Sequence, residues 1–183
     1  MDIKLIQEKA YKLMGTRKAH LEREVGGIYY HGQRCANIAI KLRDYIFPNY
    51  DFNDDIIKAA CYFHDCAKGI EPHPKYGAVV AKEALVELVT DKELDLICDI
   101  IAKHKDRNLD NSNTSDYIKI VQDADLIEHF GIYEIWMCFQ YYSHTNGSLE
   151  DAIKFYEEKH SIHTTKFRKL LNLDISKKIF DEK

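Results

Sequence analysis

Asn53-Asp54-Asp55-Ile56-Ile57-Lys58-Ala59-Ala60-Cys61-Tyr62-Phe63-His64-Asp65 is the stretch whose reading decides the fold. Three polar residues suited to cap a helix open a run in which Ile56, Ala60, His64 and Ala67 fall on one face, with Phe63 beside them. Apolar residues three and four apart describe a helix, and Gly69 supplies its stop. The same period continues on both sides. A first helix is expected over 3–14, ending at Gly15, then a long segment over 19–47 that bends at Gly26-Gly27 and stops before Pro48. Beyond Gly69, His73-Pro74 opens a helix to about 89, and Thr90-Asp91 opens another to about 105. A polar loop follows over 106–115. Thr114 or Ser115 then caps one long helix through 117–144, and Thr145-Asn146-Gly147-Ser148 turns the chain into one or two C-terminal helices. Alternating β-branched runs are nearly absent, so the expected fold is an all-α helical bundle, a single domain over 1–183.

Composition narrows the function classes. Of 183 residues, 45% are hydrophobic and 31% charged, which suffices for a real core. The net charge is −4 and the 26 Lys and Arg are scattered, so a nucleic-acid groove is not expected. No apolar run approaches the roughly 20 residues that span a bilayer, and the start lacks a signal-peptide core, so a cytoplasmic protein is expected. Five widely spaced cysteines, none in a CxxC pair, read as reduced thiols rather than staples or a structural zinc cluster. The one excess is histidine, with nine residues.

Those histidines fall on apolar stripes. His31 shares a seam with Ile28, Cys35, Ile38 and Leu42; His64 lies among Ile56, Ala60 and Ala67; His104 continues Leu94, Ile97 and Ile101; and Asp123 sits between Ile120 and Ile127. A lone core histidine bonded to a carbonyl is the ordinary explanation for any one of them. Four helices aiming an imidazole or carboxylate inward are better explained by one shared partner, because each such group is costly unless satisfied. A divalent transition metal serves all of them, and imidazole with carboxylate suits Fe, Mn, Zn, Co or Ni, with one ion expected and two possible.

With these residues in hand, the chain resembles the HD superfamily of metal-dependent phosphohydrolases. The resemblance rests on His31 in Tyr30-His31-Gly32-Gln33-Arg34, the doublet His64-Asp65 in Phe63-His64-Asp65-Cys66-Ala67-Lys68, and Asp123 in Val121-Gln122-Asp123-Ala124-Asp125. It implies an HD core over about 19–139, with C-terminal helices over 148–183 packed on it. It also implies a metal held by His31, His64, Asp65 and Asp123. His73 in His73-Pro74-Lys75-Tyr76-Gly77-Ala78, and His104, resemble positions that hold a second metal in dinuclear members, bridged by the doublet aspartate, and that bind the substrate phosphate in mononuclear ones.

The resemblance implies hydrolysis of a phosphate ester or anhydride on a nucleotide or another small phosphorylated metabolite. Asp65 is the candidate to ligate the ion and handle the proton of the attacking water, Lys68 to meet the phosphate, and Arg34 to do so as an alternative. Asp125 and Glu128 are candidates to orient ligand imidazoles, although Asp125 could equally be solvated. His160 and His163 are assigned to the surface, and His129 receives no role. Two rivals stand beside this reading. One is a mixed-valent diiron oxygenase on the same scaffold; the other is a non-catalytic nucleotide-binding or scaffold module.

Overall fold

The structure, a computed structural model, describes residues 1–18, 24–107 and 112–183. The expected beginning of the second segment at Ala19, and residues 108–111 of the polar loop, lie outside the described residues. Among those described, all regular structure is helical: α1 Ile3–Met14, α2 Gly27–Ile46, α3 Asp54–Phe63, α4 His73–Leu85, α5 Asp91–Lys103, α6 Asp116–Glu128, α7 Ile132–His144, α8 Leu149–Arg168 and α9 Asp174–Asp181.

The centre of the bundle is α2 packed on α3 and α6, with α1 and α5 against α3, α4 against α5, and α9 against α6. Leu42, Ile57, Phe63, Ile97, Ile100, Ile101, Ile120 and Ile127 are fully buried there. Each such side chain contributes about 1.5–3 kcal/mol relative to exposure. Helix α5 begins as the sequence predicts: the Thr90 hydroxyl accepts the Glu93 N–H, while the Glu93 carboxylate accepts the Thr90 N–H at 2.8 Å. This reciprocal cap satisfies two amides that the helix leaves unpaired, and is worth about 1 kcal/mol.

Two expectations are corrected. The single helix over 117–144 is two, α6 and α7, because Gly131 adopts φ +75° and ψ −137°, a conformation open to glycine and strained for other residues. Helix α3 is shorter than its periodicity suggests, since the chain passes into turns at His64 and stays there to Gly69. Those turns carry the doublet.

The C-terminal segment is tied to the core by one carboxylate. Asp123, fully buried on α6, accepts the N–H of Asn172 at 2.9 Å, the N–H of Leu173 at 2.9 Å and the side-chain amide of Asn172 at 2.8 Å. Burial pushes the Asp123 carboxyl up, and these amides offset only part of that rise. Beside it, Gln122 accepts from the Asn172 amide and donates to the carbonyls of Lys103 and Asp106, so the same helix also holds the end of α5. Replacing Asp123 with Ala removes charge-assisted bonds from buried amides. It should cost about 3 kcal/mol and lower Tm by about 6–12 °C. Asp123→Asn, which turns a donor toward the same amides, should lose nearly as much; thermal unfolding unchanged by both would show that this carboxylate does not anchor the C-terminal segment.

Candidate metal centre

Four helices and one turn bring the polar groups together. A Cβ on Gly32 would lie 2.7 Å from the Cys61 carbonyl oxygen, so only glycine lets α2 approach α3 this closely, and that approach sets His31 against His64. His64 caps α3 and Asp65 follows it in the turn. Arg17, from the end of α1, donates to the carbonyls of Cys66 and Lys68 and so pins that turn. His73 opens α4, His104 caps α5, and Asp125 and Glu128 project from α6.

All four imidazoles are held by Nδ1. His64 donates to the Cys61 carbonyl and His104 to the Ile101 carbonyl, each at 2.7 Å. A carbonyl cannot donate, so in the neutral ring the proton sits on Nδ1 and leaves Nε2 with a bare lone pair. His31 Nδ1 lies 2.6 Å from Glu128 Oε2, and His73 Nδ1 lies 2.8 Å from Glu71 Oε1. Both of those glutamates have their pKa lowered, so they accept. This is the arrangement of metal-ligating histidines, whose second nitrogen is fixed by a carbonyl or carboxylate.

The four Nε2 atoms converge on two aspartates. His31 Nε2 stands 3.1 Å from His64 Nε2 and 3.2 Å from Asp125 Oδ1, and both rings approach Asp65 Oδ2, at 3.9 and 3.8 Å. The other oxygen of Asp65, Oδ1, faces His73 Nε2 at 3.0 Å and His104 Nε2 at 3.6 Å. Despite these short distances, Asp65 Oδ1, His73 Nε2 and His104 Nε2 make no hydrogen bond with acceptable geometry among the described residues. These residues are at most 5% exposed. Buried polar atoms without partners are rare. Lone pairs that converge without a proton between them fit a cation, and the Asp65 Oδ1, His73 and His104 group passes that test.

The charges agree. Burial would raise Asp65, but the charges around it, the Lys68 ammonium among them, hold it well below the usual carboxylate range. Asp125 is likewise raised by burial and carried well below by His31, His64 and His129. Burial lowers His104, which keeps its ring neutral. Burial also lowers His31, but the bonds of the ring to Asp125 and Glu128 outweigh it and bring the ring well above its ordinary value. Cys35 Sγ lies 3.6 Å from His31 Nε2, and burial pushes its thiol up to about 12, so it is protonated.

His31, His64 and Asp65 thus stand together, and His73 and His104 join them through the second oxygen of Asp65. Lys68 sets its ammonium 2.8 Å from Asp65 Oδ2. Asp123, expected among the ligands, is not brought into this cluster: its carboxylate is filled by the amides of Asn172 and Leu173, and Asp125 occupies the position beside His31 and His64. Asp125 is buried rather than solvated. Arg34 meets Glu128, on the far side of the His31 ring from Nε2. Sequence reasoning missed Arg107, which holds Asp125 Oδ2 at 2.8 Å, and His129, whose ring packs on His31 with centroids 4.7 Å apart. Arg107 lies in the polar loop, where no periodicity could single it out.

The profile of the HD domain family matches residues 28–129, more than half the chain, and the match contains every residue of this centre. The chain belongs to the HD domain family. Its fold is similar to that of Bacillus subtilis YpgQ, solved in complex with ADP, with TM-score 0.61 and 18% identity over 97% of this chain and 88% of that one. It is also similar to an HD-superfamily hydrolase from Bacillus thuringiensis, with TM-score 0.65 and 23% identity over 98% and 88%. A Lactobacillus plantarum protein has TM-score 0.65 and 20% identity over 99% and 89%. No curated protein matches the chain significantly in sequence.

HD domains bind divalent metals, and the buried His and Asp cluster of this one could hold such an ion. Its pH response follows from His31. In the metal-free protein the raised ring takes a second proton on Nε2, facing Asp125, which an ion bound at that nitrogen would have to displace. Apparent metal affinity should therefore rise with pH until the His31 pKa is passed and fall as the medium is acidified. Calorimetry in buffers of different ionisation enthalpy should detect release of about one proton per ion; binding independent of pH from 6 to 8 would contradict it.

Proposed function

We propose that this HD domain is a metal-dependent phosphohydrolase acting on a nucleotide or another small phosphorylated metabolite. The observation that carries the reading is Asp65, whose two oxygens face two separate groups of imidazole Nε2 atoms. His31, His64, Asp65 and Asp125 would hold one ion. Asp65, His73 and His104 would hold a second. A divalent ion of the Fe, Mn, Zn, Co or Ni class, once bound, supplies a Lewis acid for the phosphoryl oxygen and an acidified water.

The chain's own residues have distinct tasks. Asp65, kept ionised with the Lys68 ammonium beside it, is the carboxylate suited to accept a proton from the attacking water. Lys68 is a quarter exposed while its ammonium rests on Asp65, so it offers a cation to a phosphoryl group arriving from solvent. Arg107 holds the outer oxygen of Asp125 and thereby leaves Oδ1 for the centre. The nucleotide assignment is supported by the ADP complex of YpgQ, whose fold is shared. A mixed-valent diiron oxygenase is the second reading, favoured by the bridging disposition of Asp65 between two nitrogen groups.

Metal analysis of protein purified without chelator, followed by a phosphate-release screen over nucleotides, tests both. We expect transition metal in the wild type and phosphate release from at least one nucleotide. Asp65→Ala should abolish metal and turnover, Asp125→Asn should lower metal content sharply, and Asp123→Asn should leave the metal content of the folded fraction intact. Full phosphate release by Asp65→Ala would refute the hydrolase. Two irons per chain with a mixed-valent electron paramagnetic resonance signal and no phosphate release would establish the oxygenase instead.

A further inference from the structure

We propose that Arg34 is a positioning residue for the metal centre, acting through Glu128 on His31, and that it does not meet the substrate. The inference rests on the metal-binding reading above. Arg34 Nε donates to Glu128 Oε1, and the other oxygen of the same carboxylate accepts the His31 Nδ1 proton at 2.6 Å. Glu128 is almost wholly buried, so its two oxygens are fixed from opposite ends, by Arg34 and by His31. A free carboxylate could rotate and offer either oxygen; this one cannot without breaking a buried charged bond. His31 in turn aims Nε2 at Asp125 and His64.

The guanidinium has its own support. It lies over the ring of Tyr133, 4.5 Å from the centroid, where the chain enters α7. A planar guanidinium can rest its face on an aromatic ring while its edge donates to a carboxylate, and a lysine ammonium cannot do both. Tyr133, Arg34, Glu128 and His31 therefore form one file running inward from α7. Nδ1 and Nε2 are on opposite sides of the imidazole, so Arg34 stands behind the ring while any group bound at Nε2 stands before it. That placement opposes the phosphate-binding role expected of Arg34 from sequence.

The test is Co²⁺ affinity by calorimetry, with turnover measured at saturating metal. Arg34→Ala should weaken Co²⁺ binding about 10–100-fold, and Arg34→Lys should recover part of the loss. In a Glu128→Gln background, which keeps the volume, removing Arg34 should cost no more than about twofold, because the two act as one unit. At saturating Co²⁺ the KM for the phosphorylated substrate should be unchanged. Wild-type affinity in Arg34→Ala, an undiminished Arg34 effect in the Glu128→Gln background, or a raised KM at saturating metal would each overturn the proposal, the last by assigning Arg34 to substrate. If the wild type binds no Co²⁺, the metal reading itself fails, and the file is judged separately by the ¹⁵N shifts of the His31 ring in metal-free protein. The wild type should show the Nδ1 proton held in place, and Arg34→Ala should show loss of that protection. An identical ring signature in both would overturn the inference.

Discussion

The carboxylate of Asp65 is the constraint around which the chain is arranged. It is buried and ionised, and its Oδ1 faces the rings of His73 and His104 without a hydrogen bond. Protein interiors do not tolerate such a group by default; an unpaired buried charge costs several kcal/mol. Here the surrounding elements each contribute one piece of its accommodation. Helices α2, α3, α4 and α5 bring the imidazoles, Arg17 braces the turn from which the carboxylate projects, and Lys68 covers its outer edge.

Helix α6 is the second organising element, and it serves three clients at once. Asp123 holds the C-terminal segment, Gln122 holds the turn after α5, and Asp125 with Glu128 enters the centre. The residue that ties down the last helices and the residue beside His31 are thus two positions apart. Strain at one end of this network has a short path to the other through Asn172, Gln122 and the turn that carries His104 and Arg107.

Much of this was legible in the sequence, and the parts that were not have physical causes. His31, His64 and His104 announced themselves because an imidazole on an otherwise apolar stripe is a visible anomaly. Asp123 and Asp125 could not be told apart in that way: every residue from Ile120 to Glu128 is buried, so α6 has no solvent face against which to measure an inward one. Periodicity favoured Asp123 for its alignment with Ile120 and Ile127, yet burial alone does not say which neighbour a carboxylate meets. The break at Gly131 was written as Phe130-Gly131, but a single glycine in a helical pattern does not reveal whether it bends, stops or merely tolerates the helix. Contacts such as Arg107 with Asp125 and Arg17 with the doublet turn join distant segments and leave no local trace.

Gly32 has no side chain, yet it governs the spacing of two imidazoles. The distance between the Nε2 atoms of His31 and His64 follows from how closely the α2 backbone lies on the carbonyls of α3, and that approach ends where a methyl group would begin. The bite offered to an ion is therefore a property of main chain against main chain. The separation of two imidazoles in the core thus falls to a residue with no side chain of its own.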